Sequence, residues 1–190
     1  MTAARRIYAM LENESLWDAA VRCGQVLSDA DIAYSVCGGV AVCLHGYQRN
    51  TVDLDLIVHP ADADRVHNLL TKAGLVWDAG AKEFRTDSGV PVQFLLSGDD
   101  AGGGEVRIPE PAGGDNVETI DGLTVLRLSR IIEMKLACGM ANMRRLHRDF
   151  ADVVELIAVR QLDGSFSRLL HKSVRPAFRR LVRRVSGTDA

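Results

Sequence analysis

The stretch GGVAVCLHGYQRNTVDLDLIV, residues 38–58, decides the fold. Gly38 and Gly39 open it, and Asp53 and Asp55 sit near its end, inside what otherwise reads as a buried strand over 51–58. Residues i and i+2 of a strand share a face. The pattern therefore sends Asp53 and Asp55 to one side together with Thr51, and Leu54, Leu56 and Val58 to the other, into the core. Before it, VAVCLHGY (40–47) predicts a short helix closed by Gly46.

Working outward, residues 15–29 space Leu16, Trp17, Ala20, Val21, Gly24 and Leu27 as one apolar helix face. IAYSVCGG (32–39) reads as a short buried strand ending in glycines. Downstream, Pro60 ends the Asp-bearing strand, and 61–73 predicts a helix closed by Gly74. Residues 82–98 read as a hairpin turning at Ser88-Gly89. The loop GDDAGGGE (98–105) lacks a following GK[ST] and so is not a P-loop. A second hairpin spans 117–128, with Asp121-Gly122 as a type I′ turn. Ser129 is placed to cap one long helix reaching about Val159, and Gly164 separates it from a final basic helix. This order predicts an α/β (α+β) fold: a mixed sheet flanked by helices, with a helical C-terminal part.

At 190 residues the chain suits one domain with a helical extension, and 47% hydrophobic against 25% charged residues is an ordinary globular balance. A net charge of −2 gives no overall pull towards nucleic acid. The end of the chain is locally basic, from Arg168 and Lys172 through Arg175, Arg179, Arg180, Arg183 and Arg184. It reads as a solvated face, with a nucleic-acid contact by this basic C-terminus as the alternative. No apolar run is long enough to span a bilayer and no signal peptide is evident, so a cytoplasmic location without membrane contact is expected. The cysteines form no CxxC pair and the histidines no HExxH, which predicts reduced thiols and no zinc site. His45 and Tyr47 read as packing residues, and Trp17 and Trp77 as core.

Two neighbouring carboxylates repel each other and are costly where partly buried. A divalent cation removes that cost. Mg²⁺ prefers oxygen ligands, commonly one or two carboxylates plus substrate phosphate oxygens. Glycines let a backbone approach a phosphate closely, and a helix start offers free N–H groups. The stretch thus predicts a cation site on Asp53 and Asp55, a phosphate cradle at Gly38 and Gly39, and in Arg49 a cation for a triphosphate. Arg49 suits equally well a pairing with an aspartate, and Thr51 reads as a strand-propensity choice.

The Gly pair followed by Arg49-x-Thr51-x-Asp53-x-Asp55 resembles the nucleotidyltransferase superfamily of the DNA polymerase β type. The likeness is greatest to the branch with AbiEii-like abortive-infection toxins and small stand-alone bacterial transferase domains. KLACGMANMRRLHRDFADVVEL (135–156) resembles that branch's Lys-x-x-Ala…Arg…Arg-Asp-x-x-Asp helix, with Ala137 one place nearer the lysine. On one continuous helix Lys135, Asn142, Arg145, Asp149 and Asp152 form a polar stripe, and Leu136, Met143, Leu146, Phe150 and Ile157 an apolar stripe facing the core. The resemblance covers roughly residues 30–160.

It implies a transferase core over 1–125 and a helical extension over 126–190. It also implies that Lys135 and Asp149 border the nucleotide, although an ion pair on a helix surface explains them equally; Arg148 and Asp152 read as structural. The activity implied is Mg²⁺-dependent transfer of an NMP from an NTP to a hydroxyl of RNA, protein or a small molecule, releasing pyrophosphate. The toxin branch further implies an antitoxin partner. The family usually carries a third acid on a later strand, where it completes the cation site and helps deprotonate the attacking hydroxyl. Here that position, in VPVQFLL, is Gln93, a neutral ligand and no base. The alternative is therefore a nucleotide-binding or regulatory module that has lost its chemistry.

Overall fold

The structure, a computed structural model, describes residues 2–10, 13–102 and 104–187. Two helices lead in, α1 (Ala3–Met10) and α2 (Glu14–Asp29); α2 buries Leu16, Trp17, Ala20 and Leu27 of the face its spacing predicts, with Cys23 beside them, whereas Val21, expected on that face, is exposed. Strand β1 (Tyr34–Cys37) is buried at all four positions and runs straight into α3 (Gly38–Leu44). Then come β2 (Leu54–Val58), a 3₁₀ turn at Pro60–Asp62 and α4 (Ala63–Lys72). The strands β3 (Val76–Asp78), β4 (Glu83–Arg85) and β5 (Pro91–Leu96) form a meander. The second hairpin is β6 (Val117–Ile120) and β7 (Leu123–Leu126). Helices α5 (Leu128–Ala141), α6 (Met143–Val159) and α7 (Arg175–Val185) complete the chain, with a 3₁₀ segment Gly164–Leu169 before the last.

The strands make one mixed sheet in the order β3-β4-β5-β2-β1-β7-β6. β2 runs antiparallel to β1 and parallel to β5, and β1 is parallel to β7. Register fixes what matters for the site: Asp55 lies opposite Cys37 on one side and Gln93 on the other. Leu54 and Leu56 share one buried cluster with Leu136, Val153 and Leu156 of α5 and α6 and Phe178 of α7. At the β6–β7 turn, Asp121 (φ 50°) and Gly122 (φ 88°) both take the left-handed backbone that a type I′ turn demands.

Four expectations need correction. Residues 128–159 are not one helix, and Ser129 is not its cap. Arg127 precedes α5, and Asn142 adopts an extended backbone (φ −129°, ψ 107°) that breaks the run. The Asn142 side chain accepts a hydrogen bond from the Arg144 N–H, so it starts α6 as a cap. The break lets α6 fold back along α5, and a Cβ at Gly139 would collide with the Phe150 ring that packs there. The expected apolar stripe is split in consequence: Leu136 and Ile157 are buried, whereas Met143, at the break, is 74% exposed. Trp77 is not core. It lies on β3, the outermost strand, which the sequence pattern does not predict, and is 39% exposed against His67 and Phe84. Finally, β2 begins at Leu54, so Thr51 and Asp53 lie just ahead of the strand.

Among the described residues no helix is long and apolar enough to cross a membrane. The four cysteines are free thiols; burial pushes Cys23 up to about 12 and raises Cys138 as well, which disfavours the thiolate in both. His45 is a packing residue, buried with Nε2 2.7 Å from the Leu126 carbonyl oxygen.

Candidate active site

β1 ends, and β2 and β5 begin, at the same edge of the sheet. There a cavity of about 710 Å³ opens between the strands and the α5–α6 pair. Gly38, Gly39, Asp53, Asp55 and Gln93 line the sheet side. Lys135, Arg145, Arg148 and Asp149 line the helical side. Of the residues predicted for the site, only Arg49 does not reach this cavity.

The acid pair is held tightly. The Thr51 hydroxyl, itself buried, donates to Asp53 Oδ1 at 3.0 Å. Its part is therefore to fix Asp53, which propensity reasoning misses. The Asp55 carboxyl is pushed up from 3.8 to about 6, chiefly by burial and then by the neighbouring Asp53 charge; Lys135, Arg145 and Arg148 oppose the rise. Gly38 has φ +60°, and a Cβ there would fall on the Asp55 carboxylate. A Cβ at Gly39 would fall on the Thr51 hydroxyl. Both glycines are thus required by the close approach of the acid-bearing segment to α3, whatever else they contact. Gly38→Ala is expected to destabilise the fold by more than ~1 kcal/mol, since an alanine must adopt a left-handed backbone and displace a buried carboxylate. Urea unfolding measures it, and an unchanged midpoint would show that the approach is not tight.

Behind the helical wall runs a chain of ion pairs. Arg49 pairs with Asp152: Nη2 donates to Oδ2 at 3.0 Å, and Nε lies 2.6 Å from Oδ1 in an ion pair without hydrogen-bond geometry. Lys135 Nζ lies 2.7 Å from Asp152 Oδ2 and 3.3 Å from Asp149 Oδ1. Arg145 Nε donates to the other Asp149 oxygen at 3.2 Å. Asp149 and Asp152 are 1% and 2% exposed, so their pairs with Arg49 and Lys135 are buried ion pairs joining α5, α6 and the loop before β2, with Arg145 reaching in from solvent, and the surface-pair reading of Lys135 and Asp149 does not hold. The polar stripe drawn on one helix is in fact a junction between two.

Gln93 does occupy the position opposite Asp55, and its amide Nε2 donates to Glu83 Oε2 at 3.0 Å. Glu83 is 6% exposed and also pairs with Arg85. Sequence reasoning passes over Glu83 because it is not in mid-strand. The signal is the hairpin register: with Phe84 opposite Val92, Glu83 must lie beside Gln93. Among the described residues no three His, Cys, Asp or Glu side chains gather to hold a metal ion. Asp53 and Asp55 are the two neighbouring carboxylates on the sheet side of the cavity.

No protein-family model matches the chain, and no curated protein sequence matches it. Solved structures do. A candidate nucleotidyltransferase from H. pylori superposes over 94% of this chain and 81% of its own, at 15% identity and a TM-score of 0.54. An antigenic nucleotidyltransferase-like protein from Paracoccidioides brasiliensis covers 88% of this chain and 92% of its own, at 19% identity and 0.53. ANT(2")-Ia in complex with adenylyl-2"-tobramycin covers 84% and 94%, at 14% identity and 0.50. The chain has the α/β nucleotidyltransferase fold. At these identities the likeness is one of architecture.

Proposed function

We propose that this chain is a Mg²⁺-dependent nucleotidyltransferase that moves an NMP from an NTP to a hydroxyl acceptor. The observation that carries the proposal is the juxtaposition of Asp53 and Asp55 with Gly38, Gly39 and Lys135 around one cavity of nucleotide size. Mg²⁺ fits the donor set: two adjacent carboxylates, one of them raised by burial and by its neighbour's charge, offer hard oxygens that a cation would relieve of repulsion. When bound, such an ion supplies charge neutralisation at the phosphates.

The chain's own residues do the rest. Gly38 and Gly39 border the phosphates. Lys135, Arg145, Arg148 and Asp149 give the facing wall a net positive charge that suits a triphosphate. Arg49 acts from behind, by fixing Asp152 and through it Lys135. The acceptor hydroxyl attacks the α-phosphorus, the bond to pyrophosphate breaks, and the hydroxyl proton passes to solvent or to a phosphate oxygen, because Gln93 is no base. A small molecule, a protein hydroxyl and RNA are the acceptor classes. The exposed arginines of α7 offer an RNA acceptor a contact. An antitoxin partner belongs to the toxin-like form of this reading.

The test is thermal stability with each NTP, with and without Mg²⁺, for wild type and the Asp53→Asn, Asp55→Asn double variant. A native-state ligand at a hundred times its dissociation constant adds ~2.7 kcal/mol. A Mg²⁺-dependent rise with at least one NTP, absent in the double variant, is expected; no rise with any NTP would overturn the proposal. Gln93 favours one other reading, a module that binds nucleotide without turnover. It predicts the same rise but no pyrophosphate release with any acceptor, and none after Gln93→Asp.

A further inference from the structure

Glu83, Gln93 and Asp55 stand in a row across three neighbouring strands. Phe84 of β4 pairs with Val92 of β5 in antiparallel register, which sets Glu83 beside Gln93. Gln93 in turn pairs with Asp55 of β2. Side chains opposite one another in register share a face of the sheet, and here Gln93 and Asp55 both line the cavity. Glu83 lies one strand further out, buried, paired with Arg85 through Oε1 and accepting from Gln93 through Oε2.

This arrangement settles which way the Gln93 amide faces. An ionised carboxylate in an ion pair has no proton to give and can only accept. Gln93 must therefore turn its NH₂ group to Glu83. That leaves its carbonyl oxygen as the end free for the cavity, which Gln93 lines in register with Asp55. A carboxylate placed in the second row thus makes a directed oxygen out of a neutral side chain in the first.

We propose that the Gln93 carbonyl oxygen is the third protein oxygen of the Asp53–Asp55 cation site, and that Glu83 is the positioning residue that aims it there. The inference rests on the cation site proposed above and adds two residues to it. The site keeps three protein oxygens but one negative charge fewer than three carboxylates would give. Charge is moved one strand outward, where Arg85 neutralises it.

The test uses Mn²⁺ alone, read by the loss of its free electron paramagnetic resonance signal, so that no nucleotide or acceptor is needed. Wild type is expected to bind Mn²⁺, and the Asp53→Asn, Asp55→Asn double variant not to. Gln93→Leu should weaken binding at least tenfold. Glu83→Gln, which frees the Gln93 amide to turn round, should weaken it about tenfold, as loss of an outer-shell partner commonly does. Gln93→Asp restores a fixed oxygen, and in that background Glu83→Gln should no longer weaken Mn²⁺ binding. That loss of effect distinguishes positioning from general damage to the fold. If Gln93→Leu and Glu83→Gln bind Mn²⁺ as tightly as wild type while the double Asp variant does not bind, the cation site stands and this inference falls. If Glu83→Gln weakens binding equally in both backgrounds, Glu83 is merely structural and the positioning role falls. If wild type takes up no Mn²⁺ at millimolar concentration, the cation site and the inference fall together.

Discussion

Asp55→Asn is expected to make the metal-free protein more stable at pH 8 while abolishing its response to Mg²⁺ and nucleotide. The Asp55 carboxyl titrates near 6 in the folded protein against 3.8 ordinarily, so the folded state binds this proton more tightly than the unfolded chain does. Its stabilising contribution is therefore complete below about pH 4. It is lost as pH rises to about 6 and stays lost above. At about 1.4 kcal/mol per pH unit the loss comes to roughly 3 kcal/mol. The groups that set it are Asp53, which raises the value, and Lys135, Arg145 and Arg148, which lower it. Asparagine carries no charge to bury. In EDTA, the variant should therefore lack this loss between pH 4 and 7 and exceed wild type by up to roughly 3 kcal/mol at pH 8. Urea unfolding at pH 4, 6 and 8 measures it. An Asp55→Asn protein less stable than wild type at pH 8 would mean that Asp55 is structurally satisfied and not held in strain for a ligand. The trade of stability for function is the one expected where like charges are kept together in a site.

The second large effect is at Asp152. It is 2% exposed and takes both Arg49 and Lys135, so Asp152→Ala leaves Arg49 without this partner and weakens the hold on Lys135. Breaking a buried pair in this way costs about 3–5 kcal/mol. Lys135 retains Asp149 at 3.3 Å, which places the expected loss towards the lower end. Arg145→Ala is the contrast. It also pairs with a buried aspartate, but its side chain is 59% exposed, and a pair half in solvent contributes about 1 kcal/mol or less. Chemical denaturation of the two variants separates the cases. Equal, small losses would show that the Arg49–Asp152–Lys135 chain is as solvated as the outer pair.

Local signals specify most of the elements correctly. Gly46, Gly74 and Asp121-Gly122 close their helices and turn as expected, because a left-handed backbone is a demand that few residues meet. The apolar run Leu54–Val58 is the central strand, and the acid pair beside it does line a cavity with the glycines and Lys135. Such features are legible because they depend on the chain within a turn or two of itself.

The features that local pattern misplaces depend on packing between distant segments. The helix from 128 to 159 breaks at Asn142, and its two halves then pack on each other, Gly139 against Phe150 and Lys135 against Asp149. No local breaker announces this; the signal is an Asn able to cap the helix after it. Arg49 reads equally as a hand for phosphate or as a partner for an aspartate, and only the fold brings Asp152, 103 residues away, to take it. Trp77 reads as core by composition, and only strand order puts it at the sheet's edge. Glu83 looks irrelevant until hairpin register sets it against Gln93. The sequence by itself determined most of the elements, the acid pair and the glycines beside it, since period and backbone conformation are local properties. The tertiary structure alone decided which charges neutralise one another and which are left facing the cavity, because ion pairing depends on distance in space and not along the chain.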